Sequence, residues 1–322
     1  MAVPSNTTQS YDLRVREDLS RMCEMVNKFE TPFYSSIDSD TTETRSPEWS
    51  EESLRAADAD NAVVEGDDVT PQAQAKPTIL QGWVQTFDEV YSVSDIAKIV
   101  DTVKSDKEMT RQRLNAGLAV RRDIEKRMCG NYASVKGTAS TAGKFAGAQA
   151  WVKTAVQFET GGAVGGFNGT TKVTDARTNG TTPVAFTEAR LKAAILASWN
   201  ATSASLRKVL TDGFNKQKFS GMSGIAQNTN EVSKGDKVVI LGSADVYVSD
   251  YGRHEITASR FMDGSSVLIY TPEKWKKTVL QPFTTKSLGV TGHNDKEMIA
   301  TTLTLKCLNE AANAAVADCT SS

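Results

Sequence analysis

The chain has 322 residues, with 37 Lys and Arg against 39 Asp and Glu, for a formal charge of −2. That length can bury a substantial core and suggests about two domains. So even a charge balance excludes a strong field that would draw a single copy to nucleic acid or to a membrane surface. No run of about 18 apolar residues is present, so no membrane-spanning helix is expected. The start, MAVPSNTTQSYD, lacks the basic and apolar regions of a secretory leader. Cys23, Cys129, Cys307 and Cys319 show no CxxC spacing, the usage of a reducing compartment in which cysteines serve as small hydrophobes. The Asn-x-Thr sequons at Asn6, Asn168, Asn179 and Asn200 carry no weight without a secretory route.

Residues 1 to 11 read as polar and unanchored. From Asp12 to Phe29 the apolar residues Leu19, Met22, Cys23, Val26 and Phe29 keep a helical rhythm. Pro32 ends that helix, because the residue before a proline is pushed out of the α region. Thr31-Pro32-Phe33-Tyr34 then places two aromatics on an extended segment, for local packing or for docking on a neighbouring chain. Residues 38 to 80 are rich in Asp, Glu, Ser, Thr and Ala and hold too few apolar residues for a core. Trp49, Val63, Val64 and the turn-like Glu65-Gly66-Asp67-Asp68 stand out in it. A long connection of this kind is either a functional arm with partners on another subunit or a mobile acidic loop.

Leu80 to Val103 reads as strand and then helix, with Trp83, Phe87 and Tyr91 suited to a half-buried strand. The most strongly marked element follows, from Ser105 to Gly130. Ser105 and Glu108 form a capping box, and Gly130-Asn131 tolerates the positive φ that closes a last turn. Leu114, Gly117, Leu118, Val120, Ile124 and Met128 fall on one arc, and Arg121 is spaced to pair with Glu125. About 24 residues at about 1.5 Å each make a rod of about 36 Å. Residues 131 to 183 read as loops and short strands around Trp151 to Phe158, with Asn168-Gly169 and Asn179-Gly180 as hairpin turns. A second helix is predicted from Thr187, its cap, to Thr211, burying Leu191, Ile195, Trp199, Leu206, Val209 and Leu210 and ending at Gly213. Strands are predicted at 238–241, 245–248 and 266–270, and at Ile299 to Cys307, where alternation puts Ala300, Thr302, Thr304 and Lys306 on a solvent face. The alanine-rich end from Asn309 is expected to fray.

Chemistry is hard to find. His254 and His293 stand apart, with no ligand or nucleophile at motif spacing. Gly137 to Phe145 has five residues where a phosphate loop needs four, and Phe145 in place of the magnesium-binding hydroxyl. Gly161 to Gly166 lacks dinucleotide-binding spacing. Glu51-Glu52 and Asp67-Asp68 lie where desolvation could not tune them, and no basic patch is interleaved with aromatics. No catalytic, cofactor or metal site is expected.

Several stretches nevertheless occur in a recognisable order: Arg16-Glu17-Asp18-Leu19, Thr31-Pro32-Phe33-Tyr34-Ser35, Glu48-Trp49, Glu65-Gly66, Val93-Ser94 and Arg122-Asp123-Ile124-Glu125. Later come Ser249-Asp250-Tyr251-Gly252 and Ser259-Arg260-Phe261-Met262. In these the chain resembles the major head (capsid) proteins of tailed bacteriophages, above all a short-tailed, podovirus-like family, over roughly residues 14 to 310. The resemblance implies an α+β, Hong Kong 97-type capsid fold. Its parts would be an N-terminal arm (1–44), an extended loop (45–90), a peripheral domain with the spine helix 105–130 (91–134), an axial domain (135–245) and a return to the peripheral sheet (246–322).

It also implies a virion protein with no enzymatic activity. Copies would assemble in the host cytoplasm into pentamers and hexamers of an icosahedral or prolate shell, near packaged double-stranded DNA but without specific binding. A separate scaffolding protein and a portal protein are implied as partners, and a decoration protein is compatible. The intersubunit contacts expected are Pro32, Phe33, Trp49, Val63, Val64, Glu65 and Gly66. Trp49 is the anchor, so Trp49→Ala is expected to weaken the shell more than the subunit. Glu65-Gly66 marks either the loop's turn-back or an ordinary surface turn. An encapsulin-like compartment and an enzyme with an unrecognised site are the alternatives.

Overall fold

The computed structural model describes residues 30–66, 68, 76–99, 108–203, 206, 208–222, 246–289 and 292–321. The predicted helix at 12–29, the cap Ser105 and the strand 238–241 lie outside them. In chain order come α1 (Pro32–Ser36), β1 (Asp38–Thr41), β2 (Glu48–Glu51), β3 (Thr78–Gln81), β4 (Gln85–Ser94), α2 (Asp95–Ile99) and α3 (Glu108–Cys129). Next are α4 (Ala148–Trp151), β5 (Val156–Gln157), β6 (Gly166–Asn168), β7 (Val173–Asp175), α5 (Glu188–Thr202), β8 (Lys208–Thr211) and α6 (Gly213–Ser220). The last are β9 (Val246–Ser249), β10 (Gly252–Ala258), β11 (Val267–Tyr270), β12 (Trp275–Leu288), β13 (Asn294–Cys307) and β14 (Ala314–Val316).

Two larger sheets organise these elements. One has the order β1-β12-β13-β4, with β1 parallel to β12 and the other pairs antiparallel. The long helix α3 packs on β4 and β13. The other has six strands in the order β5-β14-β11-β8-β10-β9. Residues of β11 alternate between two cores, as period-2 geometry demands. Leu268 and Tyr270 join the core beneath α3, while Val267 and Ile269 join the one beneath α5 and α6. The second sheet is thus a wall with a core on each side. The return to the α3 sheet, expected from residue 246, begins at Trp275, because β9 pairs with β10, and β10 and β11 flank β8 in the other sheet.

The predicted buried arc of α3 holds in its C-terminal half, where Val120, Ile124 and Met128 are buried, and fails at Leu114, which is exposed. Besides the sheet, α3 packs on α2, α1 and α4, and the residues it buries most deeply lie in its C-terminal half. Near the helix start, Arg113 binds Glu297 of β13 through both carboxylate oxygens, and the Tyr91 hydroxyl of β4 donates to the same group at 2.6 Å. These hydrogen bonds hold the Glu297 carboxyl below its ordinary range. At the other end Arg127 donates to the carbonyls of Ala133 and Phe145. Gly147 packs so close under the Gly130 carbonyl that no Cβ fits there.

Glu125 overturns the expected pairing with Arg121. It is fully buried, and its carboxylate accepts from the backbone N–H of Phe33 at 2.9 Å and of Tyr34 at 2.8 Å. It therefore caps α1, and the segment expected to be extended is a short helix with Pro32 in its first turn. Arg121 lies over the ring of Phe283 instead. Burial outweighs these hydrogen bonds and pushes the Glu125 carboxyl up.

Three further expectations change. The second helix stops at Thr202, where Ser203 takes a left-handed φ of 53° and its N–H donates to the Trp199 carbonyl. Thr187 is its cap, as expected. Val209 and Leu210 are buried in strand β8, a β-branched apolar run better suited to a sheet with cores on both sides. Gly213 opens α6 behind the Asp212 cap. Ala300, Thr302 and Thr304 are buried, because β13 is an inner strand and the chain at Gly82 and Trp49 lies over Thr304. The C-terminal alanines form β14, fully buried between β5 and β11 and against α5. Small side chains there allow close packing.

Candidate assembly surface

The stretch from Glu51 to Gly66 carries five carboxylates and one guanidinium, Arg55. β2 and β3 pair in register from Glu48↔Gln81 to Glu51↔Thr78 and form a two-stranded stem. The stem is rooted by Trp49, which stacks obliquely on Trp151 at 5.6 Å and donates Nε1–H to the Cys307 carbonyl at 2.8 Å. Leu80 is buried beside it. Beyond the stem, residues 52–66 are all exposed. Leu54 is 92 %, Val63 70 % and Val64 75 % accessible. The hydrogen bonds seen there are local, such as Ala62 N–H to the Asp60 carbonyl and Asp60 N–H to the Asp58 carboxylate. Gly66 takes a φ of +85° in a turn with Glu65, a conformation that costs glycine little.

The seven expected contact residues thus divide. Val63, Val64, Glu65 and Gly66 lie together on the exposed stretch. Phe33 is 0 % accessible and packs on Tyr270 and Trp275. Trp49 is 8 % accessible. Both aromatics already spend their surface inside their own chain. Pro32 is half-buried at the start of α1. Sequence reading missed Leu54 and Ile79, two further exposed apolar groups on the projection. A lone leucine or isoleucine amid charges is the signal that could have found them. It also missed Trp199 and Leu196, exposed on α5, because a helical rhythm does not say which face is covered.

The groups that could carry chemistry are otherwise engaged. His254 is buried, with Nε2 2.7 Å from the Ser249 hydroxyl, which also accepts from Tyr251 N–H. The pair closes the turn between β9 and β10. Burial pushes the His254 imidazole down, toward its neutral form. His293 is exposed, 3.7 Å from Asp95. The Gly137–Phe145 loop is a hairpin closed by paired hydrogen bonds between Val135 and Lys144. Gly143 lies against the Val84 carbonyl. Among the described residues no three His, Cys, Asp or Glu side chains gather as metal ligands, and Cys129, Cys307 and Cys319 are buried free thiols. Among those residues, no helix is long and apolar enough to cross a membrane.

Known proteins share this architecture. The Cyanophage A-1(L) capsid asymmetric unit matches with a TM-score of 0.65 and 11% identity, covering 98% of this chain and 99% of that one. The capsid of a native GTA particle matches with a TM-score of 0.62 and 9% identity, covering 99% and 100%. A chain from Gordonia phage Cozz matches with a TM-score of 0.60 and 8% identity, covering 94% and 91%. Identities this low speak for the fold, and they bear out the α+β, Hong Kong 97-type capsid architecture. No protein of curated function matches by sequence. The sequence model of the SU10 major capsid protein family matches residues 3–320. The chain belongs to that family, the major capsid proteins that form a phage head shell, and is a structural subunit of the virion, not an enzyme.

Proposed function

We propose that copies of this chain join as pentamers and hexamers and close an icosahedral or prolate shell around double-stranded DNA. In this reading residues 52–66 reach over a neighbouring copy. One observation carries it: Leu54, Val63 and Val64 are held in solvent on a projection whose root is fixed in the subunit core. Burying such side chains stabilises by about 1.5–3 kcal/mol each, and among the described residues nothing does so. The sheet carrying α3 serves as the peripheral unit, and the six-stranded sheet with α5 and α6 as the axial one. Pro32 and the arm before it add a second contact between copies. The near-balanced charge suits a lining along which DNA must move during filling.

A separate scaffolding protein, a portal protein and, where present, a decoration protein complete the particle, which assembles in the host cytoplasm. The test is a Val63→Asp, Val64→Asp double variant of the full chain, followed by circular dichroism, thermal unfolding and electron microscopy. The expected result is an unchanged unfolding midpoint and loss of regular shells. Normal shells from the double variant would refute the loop contact. DNA recovered from particles, as opposed to protein cargo, checks the contents.

A further inference from the structure

Arg177, in the chain between β7 and α5, is a buried cation. Its Nη2 donates to Gln149 Oε1 and to the Ser266 hydroxyl, each at 3.0 Å, while Nη1 is buried with no acceptor among the described residues. Two carboxylates, Asp318 and Asp263, act on it from a distance. Both are engaged elsewhere: Asp318 accepts from Glu159 N–H at 3.0 Å and Asp263 from the Ser265 hydroxyl at 2.9 Å. A buried charge without a contacting counter-charge is costly.

Two residues on, Asn179 turns its side-chain carbonyl to Arg177, whose Nε–H donates to Oδ1 at 3.4 Å. Asn179 is exposed and is followed by glycine. A Cβ at Gly180 would meet the Asp318 carboxylate at 2.9 Å and the Glu159 carbonyl at 3.0 Å, so the packing requires glycine there. No side chain of its own therefore shields the Gly180 nitrogen, and its N–H has no acceptor among the described residues. The other Asn-Gly pair, Asn168-Gly169, is built differently. Asn168 ends β6, and its Oδ1 accepts from the N–H of Thr170 at 3.0 Å and of Thr171 at 3.3 Å. Its Nδ2 donates to Asp175 at 3.4 Å, and its backbone carbonyl accepts from Lys172 N–H at 2.9 Å. That side chain is tied into its turn.

We propose that Asn179 is a self-modification site, whose amide is lost as ammonia to leave the carboxylate that Arg177 lacks. The Gly180 nitrogen gives its proton to solvent and its electron pair to Asn179 Cγ. The N–Cγ bond forms, the Cγ–Nδ2 bond breaks and ammonia leaves. Water then opens the five-membered imide at either carbonyl, a proton returns to nitrogen, and residue 179 becomes aspartate or isoaspartate. Nothing is oxidised or reduced, and water is the one co-reactant. Arg177 Nε–H faces Oδ1, the atom that gains charge as Cγ becomes tetrahedral, and stabilises it there. The aspartate product exchanges a neutral acceptor for a charged one beside a buried guanidinium, the stronger of the two bonds. This inference does not depend on the contact assigned to residues 52–66.

The test incubates the full chain, as soluble subunit and as assembled particles, at neutral and mildly alkaline pH. Peptide mapping by mass spectrometry locates each exchange of amide for acid. Asn179 should convert about tenfold faster than Asn168, the rate equivalent of one hydrogen bond that must break first. Thermal unfolding gives a second readout that a bystander modification would not move. Asn179→Asp should unfold at a higher midpoint than freshly prepared parent, whereas Asn179→Gln, which would have to close a six-membered ring, should keep its amide and the parent's midpoint. An Asn179 that stays an amide, or an Asn168 that converts as fast, overturns the site. An Asn179→Asp midpoint at or below the parent's overturns the pairing with Arg177.

Discussion

Replacing Glu125 with alanine should detach α1 from α3. The side chain ends in two buried hydrogen bonds, to Phe33 N–H and Tyr34 N–H. A bond to a charged acceptor contributes about 1.5–3 kcal/mol, so the pair represents about 3–6 kcal/mol. Removing the carboxylate also removes the cost of burying it, which offsets about 1–2 kcal/mol of that loss. The net expectation is about 2–4 kcal/mol, with a small further loss for the space left behind. Glu125→Gln, which keeps one acceptor and turns an N–H₂ toward the other amide, should cost about half as much.

Denaturant unfolding of the soluble subunit measures both variants, and hydrogen exchange at Phe33 and Tyr34 localises the damage. The pH dependence gives a second readout. The folded carboxyl sits above its unfolded value because burial dominates. The pH-linked part of Glu125's contribution is therefore fully present below the unfolded pKa and lost as pH rises through the folded pKa, while the two hydrogen bonds to the charged acceptor persist. The glutamine variant should lack this dependence. An alanine variant that loses less than about 0.5 kcal/mol, with unchanged protection at Phe33 and Tyr34, would sink the reasoning.

The other expectations concern different parts of the fold. Trp49→Ala should destabilise the isolated subunit by about 3–5 kcal/mol, since the ring is buried against Trp151. That reverses the expectation from sequence that the shell suffers first, and subunit unfolding beside shell yield decides between them. Ala315→Leu should cost about 1–3 kcal/mol by overpacking β14, read from the unfolding midpoint; a neutral result would mean the C-terminal strand is dispensable. Glu297 has a folded pKa below its unfolded value, held there first by Tyr91 and then by Arg113. Its contribution is present above the unfolded pKa and lost as pH falls through the folded one. Glu297→Gln should thus flatten stability on the acid side, and a parent and variant with parallel acid profiles would contradict this.

Local signals were legible where sequence and tertiary context agree. The rhythm of α3, the Thr187 cap, the turn at Asn168-Gly169 between β6 and β7, and the strand-then-helix order of β4 and α2 all follow from local chemistry. The failures lie where a distant partner decides. Val209 and Leu210 fit a helical rhythm, yet β10 and β11 flank them and make them a strand. Ala314 and Ala315 look too small to anchor anything, but in an inner strand pressed against α5 small size is the requirement. Glu125 on an apolar arc reads as an intrusion until the amides of α1, 91 and 92 residues away, are placed on it. Of the expected contacts, the two valines are apolar groups exposed on the projection. Phe33 and Trp49 found their company within the subunit.

That division explains how a segment poor in core residues can serve a shell. An arm loose along its whole length, stem included, would forfeit about 1–2 kcal/mol of backbone entropy for every residue ordered on docking. Trp49 and Leu80 remove part of that cost beforehand by fixing both strands of the stem to the core. In the proposed assembly only the tip is then ordered by a neighbour, and each contact is left weakly favourable. Weak contacts repeated over many copies can form and break singly while holding collectively. Loosening the root should therefore impair assembly even with every tip side chain intact. Leu80→Ala, buried in the root of the stem, tests this: shells should form more slowly at a subunit concentration where the parent assembles at once. Equal assembly rates, with the expected loss of subunit stability, would show that the stem does not prepare the tip.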